Sequence, residues 1–204
     1  MLVGTLFAQV RPMIHVTGDF MHRRNWANAS IVLLVLSVAL NVVLSKQLIA
    51  LRTPPPTKLL PGERVSALQV KTLSGDAVTI GFDGTLPTVF YYFSPTCSWC
   101  ERNWENVRAL VDTAPGRYRF VGLSSTPKGV EEKLKQHGLS FEVYTGLSAD
   151  AARAYRLTGT PHTVLVSPQG TVVRAWAGAY VAKQAPEIER YLALKLPGLS
   201  AAAR

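Results

Sequence analysis

Apolar residues fall along the chain in two different ways. Residues 25–45 form one block of 21 residues without a charge, centred on residues 31–40. From Glu63 onward, apolar positions come in short runs separated by Gly, Pro, Ser and Asp. Residues 68–73 and 77–80 flank Ser74-Gly75-Asp76 and predict a hairpin. Residues 88–93 form an aromatic-rich apolar run, which reads as a buried strand, and a helix is expected from Glu101 to about Val111, stopping at Pro115-Gly116. A strand follows over 118–123. Thr126-Pro127 then reads as the N-cap and first residue of a helix through Gln136, with Gly138 ending it. Residues 141–144 suit a short extended piece, and a helix is expected around 149–155. Residues 162–167 and 171–176 flank Pro168-Gln169-Gly170 as a second hairpin, and a helix over 186–194 closes the pattern. Strands alternating with helices, then a terminal hairpin and helix, predict an α/β three-layer sandwich.

The apolar block changes the picture of where this domain sits. It is long enough to cross a hydrocarbon core of about 30 Å as a helix. A cleaved signal peptide is the alternative. No clear small-x-small cleavage site follows the apolar core, and Val42, Val43 and Leu44 extend it, which favours an uncleaved anchor. The expected organisation is a short basic tail (1–25), a transmembrane signal anchor (26–50), a Pro-rich linker (51–62), a globular domain (63–195) and a C-terminal tail (196–204). Pro54-Pro55-Pro56 makes the linker a stiff extended spacer. Arg11, Arg23 and Arg24 precede the span, whereas Lys46, Arg52, Lys58 and Arg64 follow it, so a count of basic residues does not fix its direction. The short N-terminal segment favours N-in. The expectation is a single-pass protein of a bacterial inner membrane, with its domain on the periplasmic side.

Net charge is +9, and from Arg52 onward 18 Lys+Arg against 12 Asp+Glu leave +6 on the soluble part. These charges are scattered rather than blocked. No basic stripe with interleaved aromatics is present, so nucleic acid is not an expected partner. A solvated face, suited to anionic lipid or an acidic partner, is the better reading.

The chemistry rests on two residues. Cys97 and Cys100 are the only cysteines in 204 residues, and they stand as Cys-Ser-Trp-Cys between the aromatic strand and the following helix. A cysteine at a helix N-terminus has its thiolate stabilised by unpaired N–H groups and the helix dipole. Cys100, one turn on, is within reach to close or resolve a disulfide. A reversible dithiol is therefore the first reading. A structural zinc site needs about four ligands, and outside the N-terminal segment only His137 and His162 are available to complete one. Haem attachment wants His after the second cysteine, where Glu101 stands. A structural disulfide closing so short a loop contributes little cross-linking entropy.

The order strand–CxxC–helix–strand–helix, then Thr158-Gly159-Thr160-Pro161, the Pro-Gln-Gly hairpin and Gly178, resembles the thioredoxin superfamily. With its early hairpin and N-terminal anchor, the chain is most similar to membrane-tethered TlpA/ResA-like (redoxin) thiol–disulfide oxidoreductases. The resemblance covers residues 60–191. It implies a thioredoxin-like sandwich with an N-terminal hairpin extension after one transmembrane helix. It implies Cys97 and Cys100 as catalytic residues, with no cofactor beyond their disulfide and no metal. It also implies a cis Thr160–Pro161 peptide facing the cysteines, with Thr160 and Pro161 as substrate-binding residues; Trp99 is a further candidate for substrate binding if it lies exposed beside the sulfur, the alternative being that it packs against the domain. Its expected partners are protein thiols and disulfides, a membrane dithiol donor or acceptor, and the bilayer. Cytochrome c or other cofactor-protein maturation is the family role it suggests.

The chain departs from thioredoxin at several positions. Thr96 replaces a Trp, Ser98-Trp99 replaces Gly-Pro, and Tyr91 stands where thioredoxin buries an Asp. That substitution removes the usual proton acceptor for the second cysteine. Glu101 adds a negative charge expected to oppose thiolate formation. His162 is expected either as an exposed strand opener or as a group tuning the thiolate. Two other functions compete. A peroxiredoxin-like peroxidase would match Ser94 but would want Pro where Phe90 stands. A MauD-like maturation chaperone would use the proline face for binding, with redox turnover secondary.

Overall fold

A computed structural model of the chain describes residues 19–52, 58–82 and 84–201, with side chains for 28–49, 58–82 and 84–201. The chain forms two units, 1–55 and 56–204. The first contains helix α1, Asp19–Arg52, so residues 19–25 of the expected tail are helical. Within it, Asn28–Ile49 is apolar and solvent-exposed, with a mean hydropathy of 2.2. Twenty-two helical residues reach about 33 Å at 1.5 Å each, enough for a bilayer core. An exposed apolar helix of this kind fits a signal anchor or a signal peptide. Residues 53–57, and with them Pro54-Pro55-Pro56, lie outside the described residues.

The second unit has a thioredoxin-like α/β fold. Its strands are β1 (Leu68–Lys71), β2 (Ala77–Ile80), β3 (Thr88–Phe93), β4 (Arg119–Ser124), β5 (Glu142–Tyr144), β6 (His162–Val166) and β7 (Val172–Ala177). Its helices are α2 (Ser98–Glu101), α3 (Trp104–Thr113), α4 (Val130–Gln136), α5 (Ala149–Ala154) and α6 (Ala185–Leu192). β1 and β2 pair as an antiparallel hairpin, and the other five strands form a mixed sheet in the order β5-β4-β3-β6-β7. β3, β4 and β5 run parallel, while β6 and β7 are antiparallel to their neighbours.

β3 is the centre of this sheet, and alternation along it divides the core. Val89, Tyr91 and Phe93 face Trp104, Val107 and Leu110 of α3 together with Ile188 and Leu192 of α6. Phe90 faces the other way, against Leu68, Val70 and Ile80 of the hairpin and Tyr155 beyond α5. This two-residue alternation on a strand buried on both faces produces the three layers. Reciprocal Lys71–Thr145 backbone bonds of 2.7 Å tie the hairpin to the end of β5.

The structure departs from the sequence expectation in four places. The helix after the cysteines is broken, because Asn103 interrupts it between α2 and α3. The next helix starts at Val130 rather than at Thr126-Pro127. Thr126 Oγ1 does accept the Lys128 N–H, but this closes only a local turn. Gly129, at φ +82°, then redirects the chain and accepts the first helical bond, from Lys133. The globular unit includes residues assigned to the linker, since Leu59 is buried and the Gly62 N–H bonds the Val172 carbonyl. Residues beyond 195 are not all free tail either. Leu196 packs on the core, and the Gly198 and Ser200 N–H groups bond Asn106 Oδ1 and the Arg102 carbonyl.

Ile188 is fully buried and pins α6 to the sheet. Ile188→Ala is expected to destabilise the domain by about 2–5 kcal/mol, measured by denaturant unfolding. A loss below about 0.5 kcal/mol, the range of ordinary surface substitutions, would contradict this packing.

Candidate dithiol site

The strand carrying the core ends at the cysteines. β3 stops at Phe93, and Ser94–Thr96 turn the chain so that Cys97 becomes the N-cap of α2. The Cys97 N–H bonds the Ser94 carbonyl at 3.1 Å, and the Cys100 N–H points back to Cys97 Sγ at 3.3 Å. Both cysteines are free thiols, Cys97 half-buried and Cys100 buried at 1% exposure. From the opposite strand, Thr160–Pro161 approaches as a cis peptide, the form the resemblance implies. Tyr92 pairs with His162, which brings the Thr160 carbonyl within 3.4 Å of Cys97 Sγ. The Gly178 N–H bonds the Pro161 carbonyl at 2.8 Å and fixes this loop from the far side.

The two thiols have opposite proton affinities. Burial works against the Cys97 thiolate, but hydrogen bonds with the side chains of Thr160 and Cys100 and the N–H groups of Cys100 and Trp99 outweigh it, so its pKa lies below the ordinary value. The Sγ–H···O contact to the Thr160 carbonyl belongs to the protonated form; the N–H donors serve the thiolate. For Cys100, burial dominates and the neighbouring Cys97 sulfur adds to it, pushing the pKa up to about 12.

Trp99 is 48% exposed, and the Arg102 guanidinium stacks 4.8 Å above its ring. The structure thus brings Cys97, Cys100, Thr160 and Pro161 together and leaves Trp99 on the surface beside them. Glu101 does not act as the isolated charge expected. Burial raises its pKa, but Lys133 at 2.8 Å and His137 at 3.1 Å overcome that effect and hold the carboxyl below the ordinary value. His137 in turn stacks on Trp104, with ring centroids 5.1 Å apart. His162 is buried at 1% exposure, with no partner for Nε2 among the described residues. Burial, with Lys58 adding to it, lowers its pKa to about 4. It is therefore a neutral core residue, not an exposed strand opener.

Sequence reasoning missed Asn103 and Asn106, both fully buried. Asn103 donates to the Tyr91 hydroxyl and accepts from Asn106 and from the Tyr180 N–H, so the helix break has a full set of partners. Their signal was present: two polar residues three apart on the apolar stripe of Trp104, Val107 and Leu110. Beside Cys97, a cleft of about 440 Å³ is lined by Pro95, Thr96, Thr126, Lys128, Lys133 and Gln136, among others.

Several solved structures share this architecture. The thioredoxin domain of a thiol-disulfide oxidoreductase from Bacteroides vulgatus is similar at 17% identity and TM-score 0.54, covering 66% of this chain and 99% of that one. A thiol:disulfide interchange protein from a Bacteroides species is similar at 19% identity and TM-score 0.50, covering 66% and 91%. A peroxiredoxin-like protein from Aquifex aeolicus is similar at 13% identity and TM-score 0.54, covering 68% and 88%. No protein-family model and no curated protein matches the sequence. At these identities the likeness establishes the thioredoxin-like fold.

The split in proton affinity sets the expected reactivity. In the reduced protein near neutral pH, iodoacetamide is expected to label Cys97 first. Cys100 is expected to respond only well above the pH at which an ordinary thiol ionises. Mass spectrometry of the labelled peptide checks the order, and faster labelling of Cys100 would reverse it.

Proposed function

We propose that this chain is a membrane-anchored thiol–disulfide oxidoreductase acting on protein substrates. The observation that carries the reading is the pair of free thiols at the end of the central strand, one accessible and readily ionised, the other buried and protonated. Cys97 thiolate attacks one sulfur of a client disulfide, forming a mixed disulfide and releasing the other sulfur as a thiolate that takes a proton. Cys100, on losing its proton, attacks Cys97 Sγ. The Cys97–Cys100 bond forms, the bond to the client breaks, and the second client thiolate leaves and is protonated. Two electrons pass to the client, and a membrane dithiol restores the thiols; run backwards, the same steps oxidise a client.

The Thr160–Pro161 backbone and the exposed Trp99 ring are the surface on which an extended client segment would lie, beside the cleft at Thr96. The α1 helix anchors the domain to a bacterial inner membrane, with the domain on the periplasmic side. Maturation of cytochrome c or another cofactor protein is the role this combination suits.

Cys100→Ser is expected to trap mixed disulfides with client proteins on non-reducing gels, whereas Cys97→Ser traps none. If the double Cys→Ser variant keeps both client binding and biological function, the chain is a binding module instead. For topology, a reporter that matures only outside the cytoplasm, fused after Arg204, is expected to be active. Activity from a cytoplasmic reporter alone would reverse the orientation.

A further inference from the structure

The short helix that carries the dithiol ends against the far end of the chain. Arg102 is the C-cap of α2, and its carbonyl accepts the Ser200 N–H at 2.9 Å and the Ser200 hydroxyl at 3.3 Å. Its side chain returns the contact, with Nε donating to the Ser200 carbonyl at 3.1 Å. Two residues 98 apart in sequence are thus joined through three hydrogen bonds. The segment before Ser200 is anchored as well. Leu196 packs on the core, and the Gly198 N–H bonds Asn106 Oδ1 at 2.9 Å.

What this anchoring fixes is the guanidinium. Its central carbon stands 4.8 Å from the centroid of the Trp99 ring, within the range of a cation–π contact. Trp99 lies inside the Cys97–Cys100 loop and is 48% exposed, so the cation sits over an open ring that flanks both sulfurs. Arg102 is itself partly exposed, and its terminal Nη groups donate to no acceptor among the described residues. Its charge is not neutralised either. Glu101, its neighbour in sequence, turns instead to Lys133 and His137. No carboxylate lies within 4.0 Å of the Arg102 nitrogens among the described residues, whereas Arg108, Arg119, Arg156 and Arg174 each face one. A stacked guanidinium with free terminal donors is suited to a carboxylate.

We propose that Arg102 is a specificity-determining residue of the dithiol site, held over Trp99 by the C-terminal segment so that it meets a carboxylate beside the reacting cysteine of a client. The inference deepens the oxidoreductase reading above and rests on it. It names the class of client: an extended segment with Asp or Glu next to its cysteine. The Ser200 bond and the Trp99 stack restrict the arginine before a client arrives, so less side-chain freedom is lost on pairing. The exchange itself is unaltered. Cys97 still attacks the client sulfur, and Arg102 neither takes nor gives a proton.

The probes are two short peptides whose single cysteine is blocked as a mixed disulfide with 2-thiopyridine. In one the cysteine is flanked on both sides by Asp, in the other by Asn. In the full-length chain carrying Cys100→Ser, the Cys97 thiolate attacks the peptide sulfur. The disulfide between peptide and Cys97 forms, and pyridine-2-thiolate leaves, takes a proton and is read by its absorbance. Adding Arg102→Gln is expected to lower the Asp:Asn rate ratio about threefold at low salt, the scale of a partly exposed ion pair. Ser200→Pro removes both donors to the Arg102 carbonyl without touching the arginine, and is expected to lower the ratio in the same direction. Arg153→Gln removes an exposed charge that pairs with Asp150, and as the control it is expected to leave the ratio in place. An unchanged ratio in Arg102→Gln or in Ser200→Pro, or an equal fall in Arg153→Gln, would overturn the inference and leave the dithiol reading standing. Failure of Cys97 to react with either peptide would overturn that reading, and this inference with it.

Discussion

Two thiols three residues apart are placed in opposite surroundings by a single turn of chain, and the chemistry proposed for the protein depends on that difference. Ser94–Thr96 carry the chain out of the central strand of the sheet, so Cys97 emerges at the rim with N–H groups aimed at its sulfur. One helical turn returns the chain to the core, so Cys100 is buried against the side of α3. Hydrogen-bond donors stabilise a thiolate at the first position, and desolvation disfavours one at the second. The rest of the site serves this arrangement. β6 brings Thr160 to the first sulfur, and the Glu101–Lys133–His137 cluster balances the carboxylate beside the second.

Polar groups inside the core give the turn its rigidity. Asn103 and Asn106 cost free energy unless satisfied, and between them they engage Tyr91, Tyr180 and Gly198. These partners come from β3, from the chain after β7 and from the C-terminal segment. The helix break just past the cysteines is therefore a tertiary feature: Asn103 leaves helical register because its side chain is claimed on three sides.

This explains which parts of the fold were legible in the sequence. Strands and hairpins were readable because alternation and turn residues act locally: Ser74-Gly75-Asp76 and Pro168-Gln169-Gly170 both close hairpins between adjacent paired strands. The cysteine pair was readable from its spacing and from the aromatic strand before it. Asn103 was not, because its partners include Tyr180, 77 residues away. The start of α4 was misread because two local signals compete, the Thr126 turn and Gly129 with its positive φ, and the glycine sets the helix. His162 looked like a surface residue until β6 was seen buried along its whole length. Glu101 looked like an opposing charge because Lys133 and His137 approach it from another helix.

A dithiol built to cycle and a disulfide built to last differ most directly in reduction potential. Equilibrating the protein with glutathione redox buffers and quantifying the Cys97–Cys100 disulfide measures it. The account predicts one reversible two-electron transition between about −270 and −120 mV, the span of catalytic thiol–disulfide proteins. A potential below about −300 mV, typical of structural disulfides, or the absence of an intramolecular Cys97–Cys100 bond, would contradict it.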